Sequence, residues 1–330
     1  MADGAVRAGY ADLEVCPVSD GGPGLIDALL APGSRVERVH VRGPLGDPVV
    51  ARVLIDGDEA IIESADACGL HLLDRPAPMR ANTFGVGELL RAAASYADTA
   101  VVGLGGSGTV DGGVGAAAAA GWRFLDAAGR PLEPVPASLG QLDRIEPPKQ
   151  LPQARFLAVA DVDTWLFGAH GAARVFGPQK GATPTDVEML DAGLERLARI
   201  IRRDAGTNVG DLVGGGAAGG LGAGLHAFFG AELRSGSAWV FERLHLSERI
   251  QRADLVITGE GSYDDQSGLG KITGSVVAAA RAANTPVLLI AGRVATDLPS
   301  GVHAVSGSGV LTTVDLAGIV ERTLPRLLPR

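Results

Sequence analysis

Five short apolar runs in this chain each end in a glycine-rich or acidic turn, and no other feature limits its fold as strongly. They are LEVCPVSDGG (13–22), TAVVGLGGSG (99–108), RFLAVADVD (155–163), DLVITGEGS (254–262) and PVLLIAGR (286–293). Continuous apolar runs of strand length read as parallel strands buried on both faces. Ligands of open α/β sheets bind beyond the carboxyl ends of such strands. Residues 36–63 differ: Val, Ile and polar residues nearly alternate, broken by Pro-Leu-Gly-Asp and Asp-Gly-Asp, which predicts antiparallel hairpins. Over 184–203 the residues Val187, Leu190, Leu194, Leu197 and Ile201 make one apolar helical face. Thr183 and Pro184 supply its start, Arg202 and Arg203 suit its end, and the segment reads as scaffold. The prediction is an α/β protein of two domains. Residues 1–34 and 249–330 are expected to form a discontinuous Rossmann-like parallel-sheet domain, and 35–248 an inserted mixed α/β domain.

Charge and composition remove several function classes. The 330 residues carry 29 basic and 38 acidic side chains, a net charge of −9, so a nucleic-acid partner is not expected. No apolar stretch approaches the roughly 18 residues of a membrane span. The opening MADGAVRAGYADLEV lacks the layout of a signal peptide, which makes a cytoplasmic location the expectation. Cys16 and Cys68 make neither a disulfide framework nor a metal-ligand spacing, and the six histidines form no metal-binding pair. Only Lys149, Lys180 and Lys271 are lysines. Two of them sit among glycines, in FGPQKGAT and SGLGKITG, where a compact mobile charge suits phosphate oxygens.

The stretch VVGLGGSGTVDGG (101–113) admits two readings. Gly103, Gly105 and Gly108 after a strand, with Asp126 some way on, match a dinucleotide-binding turn and its ribose carboxylate. That reading predicts an NAD(P)-dependent oxidoreductase. Against it, Asp111, Gly112 and Gly113 follow where the helix should begin, and an acid there repels pyrophosphate unless a metal ion intervenes. The same acid-glycine-glycine unit occurs at Asp20-Gly21-Gly22. Carboxylates beside bare backbone N–H groups are what phosphoryl transfer needs, although Asp-Gly is also a common turn. Asp161 and Asp163 share one predicted strand end, and Glu260, Asp264 and Asp265 another; hard oxygen ligands on loops suit Mg²⁺. GGGAAGGLGAGL (214–225), with Gly219 and Gly220, reads either as an anion nest or as a tightly packed glycine turn.

Taken in order over nearly the whole chain, five segments resemble the glycerate kinase type 1 family. They are PVSDGGPGLIDAL, GLGGSGTVDGGVG, ADVDTWLFGAHGAARVFGPQKGAT, GAAGGLGAGL and ADLVITGEGSYDDQSGLGK. The resemblance implies a cleft between the two domains and phosphorylation of D-glycerate by ATP with Mg²⁺. It carries the catalytic expectation to Asp20, Asp111, Lys180 and Lys271. Substrate and nucleotide binding falls to Gly21, Gly22, Gly105, Gly106, Ser107, Thr109, Gly112, Gly219, Gly220 and Asp264, and metal binding to Asp161, Asp163 and Glu260. Asp20 or Asp111 would orient or deprotonate the attacking hydroxyl, and the two lysines would neutralise phosphate or carboxylate. A homodimer is compatible with the sequence. The chain departs from the family at Pro23, Val110, Thr164-Trp165 and Ser262. It also opens at MADGAVRAGY, inside or just before the family's first helix, without the strand and Asp-Ser-Phe-Lys-Gly-Ser-like loop that usually precede it. A binding protein of weakened activity is therefore the second expectation from the resemblance.

Overall fold

The structure is a computed structural model that describes residues 1–263, 272–295, 298–307 and 311–328. The chain forms two compact units, Gly21–Gly236 and the pair of segments Met1–Asp20 and Ser237–Arg330. The predicted boundaries at 34 and 248 thus differ from the observed ones. Residues 21–34 group with the larger unit and 237–248 with the smaller.

In the larger unit the alternating segment forms the meander predicted for it. Strands β1 (Arg35–Arg42), β2 (Pro48–Asp56) and β3 (Glu59–Glu63) pair antiparallel. Strand β4 (Thr99–Gly103) follows, then a two-stranded sheet of β5 (Arg123–Leu125) and β6 (Arg144–Glu146). Strands β7 (Arg155–Val159) and β8 (Glu232–Arg234) complete a six-stranded sheet ordered β1-β2-β3-β4-β7-β8. From β3 onward the sheet is parallel. Its register aligns Glu63, Gly103, Val159 and Arg234 in one row, so the loops that leave these strands start side by side.

Helices Phe84–Tyr96 and Ala217–Phe229 pack on this sheet: Leu89, Leu90, Leu221 and Leu225 join Val53, Ile62, Val102 and Phe156 in one core. A second core gathers around helix Pro184–Asp204, where Leu190, Leu194, Leu197 and Ile201 of the predicted face are buried. Burial of each such side chain contributes roughly 1.5–3 kcal/mol. Thr183 caps that helix in a reciprocal capping box with Asp186, as its position before Pro184 predicts.

In the smaller unit β9 (Val256–Tyr263), β10 (Val287–Val294) and β11 (Val302–Ser306) form a parallel sheet ordered β11-β10-β9. Alternation along β10 sorts its side chains between two layers. Leu288 and Ile290 pack with Ala5, Ile319 and Val320 of helices Ala2–Arg7 and Thr313–Leu327. Val287, Leu289 and Ala291 pack with Ile250, Val276 and Ala280 of helices Leu246–Arg252 and Ile272–Ala282. The run at 13–18, predicted as a strand, forms none. Leu13, Val15 and Val18 stand exposed, because apolar character alone supplies no neighbouring backbone to complete a ladder. Among the described residues no helix is long and apolar enough to cross a membrane.

Candidate functional site

The loop that leaves β4, residues 104–113, is built from beneath by two buried charged side chains. Asp111 is wholly buried. Its Oδ2 accepts from the Thr83 N–H at 2.9 Å, the Thr83 hydroxyl at 2.7 Å and the Gly115 N–H at 3.1 Å, and its Oδ1 accepts from the Gly113 N–H at 3.1 Å. The Thr83 hydroxyl in turn accepts from the Ala116 N–H at 3.0 Å. Burial pushes the Asp111 carboxyl above the usual carboxylate range, against the pull of these donors. Asp111 therefore accepts from an N–H in the first turn of helix Val114–Ala119 and, with Thr83, anchors that helix start. The sequence reading expects this carboxylate at the attacking hydroxyl; the structure places it under the loop, with both oxygens committed to the protein's own donors.

The same geometry answers the dinucleotide reading. The first-turn N–H groups that would meet pyrophosphate already donate to Asp111. A Cβ at Gly105 would stand 2.8 Å from the Gly22 Cα, and one at Gly106 2.8 Å from the Pro23 ring, so these glycines serve close approach of the chain to itself. Asp126 closes a surface turn, accepting from the Ala128 and Arg130 N–H groups and the Arg130 guanidinium. The strand before it, β5, pairs with β6 and not with β4.

Lys180 is the second buried charge. It ends the short helical turn Pro178–Lys180, and its Nζ donates to the Ser107 hydroxyl at 2.9 Å and the Thr109 carbonyl at 2.8 Å. Burial pushes this ammonium down to about 8, against the opposing pull of Cys68 and Asp111. The Cys68 thiol is pushed up to about 12, chiefly by burial and then by Asp111. Backbone bonds stitch the loop to residues 68–70: Leu70 N–H to Gly106 carbonyl at 2.9 Å and Gly108 N–H to Cys68 carbonyl at 2.8 Å. Gly106, Ser107 and Thr109 are each held by one of these bonds.

Loops from the neighbouring strand ends join this one. The Gly21-Gly22 backbone lies against the ends of β4 and β7: a Cβ at Gly103 would stand 2.6 Å from the Gly21 carbonyl, and one at Gly21 3.1 Å from the Val159 carbonyl. Glu63, the last residue of β3 and nearly buried, holds the turn that follows them. Its oxygens accept from the Gly24 N–H at 3.0 Å and the Ile26 N–H at 2.9 Å. Arg52 stands 3.6 Å from Glu63 and also bonds Asp27 and Asp66. Sequence reasoning missed Glu63; its one signal is a carboxylate closing the apolar strand EAIIE. Ala218, Gly219 and Gly220 are left-handed, and a Cβ at Gly219 would stand 1.9 Å from the Thr109 carbonyl. Gly219 accepts from the Gly112 N–H at 3.1 Å, so of the two readings of 214–225 the structure matches close packing.

Asp161 and Asp163 leave the end of β7 together. Asp161 Oδ1 accepts from the Ser235 hydroxyl at 2.8 Å, and Asp163 is exposed. Among the described residues no group of three or more His, Cys, Asp or Glu side chains is arranged to hold a metal ion. Asp20, exposed, and Glu260, on β9, belong to the smaller unit. Asp264 and Lys271 lie outside the described residues.

Fold and site define an α/β protein whose candidate site loops gather at the carboxyl ends of parallel strands, over a buried lysine and a buried carboxylate. Residues 1–326 match the glycerate kinase family. The chain is 40% identical over 291 residues to the glycerate kinase of Haemophilus influenzae, covering 86% of this chain and 77% of that one. It is 41% identical over 291 residues to the glycerate 2-kinase of Escherichia coli, covering 86% and 76%. A crystal structure from Salmonella typhimurium LT2, of a protein designated glycerate kinase 2, superposes with a TM-score of 0.83 at 36% identity, covering 99% of this chain and 94% of that one. This chain belongs to the glycerate kinase family.

Proposed function

We propose that this protein transfers the γ-phosphoryl group of ATP to a hydroxyl of D-glycerate. The observation that carries the reading is the row of strand ends at Glu63, Gly103, Val159 and Arg234, which brings the Gly21-Gly22, Ser107-Thr109 and Asp161-Asp163 loops to one edge in a chain of this family. In the reaction the glycerate oxygen bonds to γ-phosphorus, the bond from phosphorus to the β,γ-bridging oxygen breaks, and the hydroxyl proton leaves. Catalysis of this kind is positioning and charge stabilisation more than covalent chemistry.

Asp20 is the candidate for orienting the hydroxyl and taking its proton, since Asp111 has no oxygen left to offer. Lys180 acts through Ser107 and Thr109, holding the loop so that its hydroxyl and N–H groups face anionic oxygens. Asp264 and Lys271 keep the nucleotide- and phosphate-binding roles that the family resemblance implies. Asp161 and Asp163 are hard oxygen donors on one loop and fit Mg²⁺, which takes one or two carboxylates alongside substrate phosphates; Glu260 keeps the metal-binding role that the family resemblance implies. When bound, the ion neutralises charge on the phosphates.

The test is ADP formation from ATP and Mg²⁺ with and without D-glycerate, using protein shown to be folded by circular dichroism. Glycerate-dependent ADP supports the kinase, and phosphorus NMR of the product tells 2-phosphoglycerate from 3-phosphoglycerate. A folded protein that binds ATP or glycerate without turnover would instead be a binding relative.

A further inference from the structure

The row of strand ends from which the site loops start continues into the antiparallel strands. Val53 lies opposite Ile62 in the β2–β3 register, which brings Arg52 level with Glu63, and Glu63 lies beside Gly103 of β4. Arg52 and Glu63 are thus cross-strand neighbours on one face of the sheet, with Arg52 Nη2 3.6 Å from Glu63 Oε1. The same guanidinium donates from Nη1 to Asp27 at 2.8 Å and from Nε to Asp66 at 3.3 Å. Asp66 also accepts from the Arg52 N–H at 3.0 Å. Among the described residues Arg52 is the one cation paired with any of these carboxylates.

Stability alone does not ask for this arrangement. Exchanging a buried ion pair for packed apolar side chains is often neutral or favourable, and Glu63 closes a strand whose Ile61 and Ile62 are wholly buried. What the carboxylate does is hold backbone. Its oxygens take the N–H groups of Gly24 and Ile26 at the start of helix Leu25–Leu29. That helix has no side-chain cap and, at five residues, is too short to persist by its own hydrogen bonds. The residues just before it, Gly21 to Pro23, are the ones that lie against the ends of β4 and β7 and against Gly105 and Gly106. Arg52 therefore holds this segment twice, directly at Asp27 and indirectly through Glu63.

We infer that Arg52 is a positioning residue for phosphoryl transfer, acting through Glu63 to keep the Gly21-Gly22 backbone in place against the Gly105–Ser107 loop; the inference rests on the kinase reading above. Its effect is geometric. Both glycine loops offer backbone N–H groups, and their value to anionic oxygens depends on how the two are set relative to each other. Loss of the guanidinium leaves Glu63 without a counter-charge and Asp27 without its bond to β2. The Gly21–Ile26 segment then shifts while the hydrogen-bonded ladders of the sheet remain.

The experiment measures kcat and the KM for ATP and for glycerate in wild type, Arg52→Met, Arg52→Lys, Glu63→Gln and the Arg52→Met/Glu63→Gln double variant. Each is assayed at a temperature where circular dichroism shows it folded. Arg52→Met should lower kcat about tenfold or more and move either KM by no more than about twofold, the split expected when alignment is lost and ground-state binding is kept. Arg52→Lys keeps a cation for Glu63 but gives up the fork to Asp27 and Asp66, so kcat should recover to about a third of wild type. The double variant should be no slower than the slower single one, because both residues act through one chain of contacts. A folded Arg52→Met with wild-type kcat, or single effects that multiply in the double variant, overturns the inference and leaves the kinase reading standing. A wild-type protein that forms no ADP with glycerate overturns both. Where Arg52→Met does not fold, the same cycle is run with Arg52→Lys: its deficit should vanish against Glu63→Gln, and a deficit that persists there, or none in Arg52→Lys itself, overturns the inference.

Discussion

The Lys180 ammonium stands 2.9 Å from the Ser107 hydroxyl and 2.8 Å from the Thr109 carbonyl, in a region closed to water. One side chain thus fixes two points of the loop that follows β4. Lys180→Met keeps the volume and removes both bonds. The expected outcome is a fall in kcat of about a hundredfold, the order of effect that a loop displaced by an ångström produces. A coupled ADP assay beside circular dichroism checks it; a folded variant with undiminished kcat would show that the loop does not depend on this lysine.

The same lysine sets a pH dependence. Its folded value of about 8 lies below the ordinary 10.5. Between those values the unfolded chain holds more proton than the folded one, so the stability conferred by this group rises with pH across that window, and the cost of burying the charge is fully present below about 8. Activity should run the other way, falling as pH passes upward through about 8 and the ammonium loses its proton. Urea midpoints for wild type and Lys180→Met isolate the stability effect: their difference should shift in favour of wild type as pH rises. A difference independent of pH sinks this account.

Asp111 accepts four hydrogen bonds without contact with solvent. In Asp111→Asn one acceptor oxygen becomes a donor amide facing N–H groups. The cost should be about 1–3 kcal/mol for each buried group left unsatisfied, seen as a lower urea midpoint. Lost turnover at unchanged stability would mean that the carboxylate meets substrate after all.

Glu63→Gln removes one of the two acceptors that hold Gly24 and Ile26 and takes a charge from beside Arg52. The Asp20–Gly24 turn should loosen, with a stability loss of about 1–3 kcal/mol. Amide exchange at Gly24 and Ile26 should accelerate; unchanged protection there would show the turn to be held by other contacts.

Chelation by EDTA should abolish turnover and excess Mg²⁺ restore it. Asp161→Asn should raise the Mg²⁺ needed for half-maximal rate, and Ser235→Ala, which removes the hydroxyl bonded to Asp161, should weaken the ion by roughly tenfold. An unaltered Mg²⁺ requirement in both variants takes the metal away from this loop.

Local rules were legible wherever a residue's role depends on its near neighbours in the chain. The period of two in 36–63 specifies the β1–β3 meander, and the capped apolar stripe after Thr183 specifies helix Pro184–Asp204. Apolar runs ending in glycine or, for β7, in an acidic turn mark β4, β7, β9 and β10, because a doubly buried strand admits little else. At 13–18 the same signal fails, since a strand also needs a partner that no local pattern supplies. Asp111 and Lys180 stand out in the sequence by type and setting, as an acid where a helix should start and a lysine where this chain uses arginine. Only the tertiary structure decides that both point inward. Thr83 lies 28 residues before Asp111 and Ser107 73 before Lys180, and burial alone turns two groups that look ready for solvent into supports. Glu63 shows the same limit: its role exists only because β3 ends beside Gly24 and Ile26, 39 and 37 residues earlier in the chain. Pattern along a chain reports which face is apolar and where the backbone turns. Which carboxylate meets solvent and which meets an amide is settled by contacts between distant segments, and those form only when the sheet closes its rows.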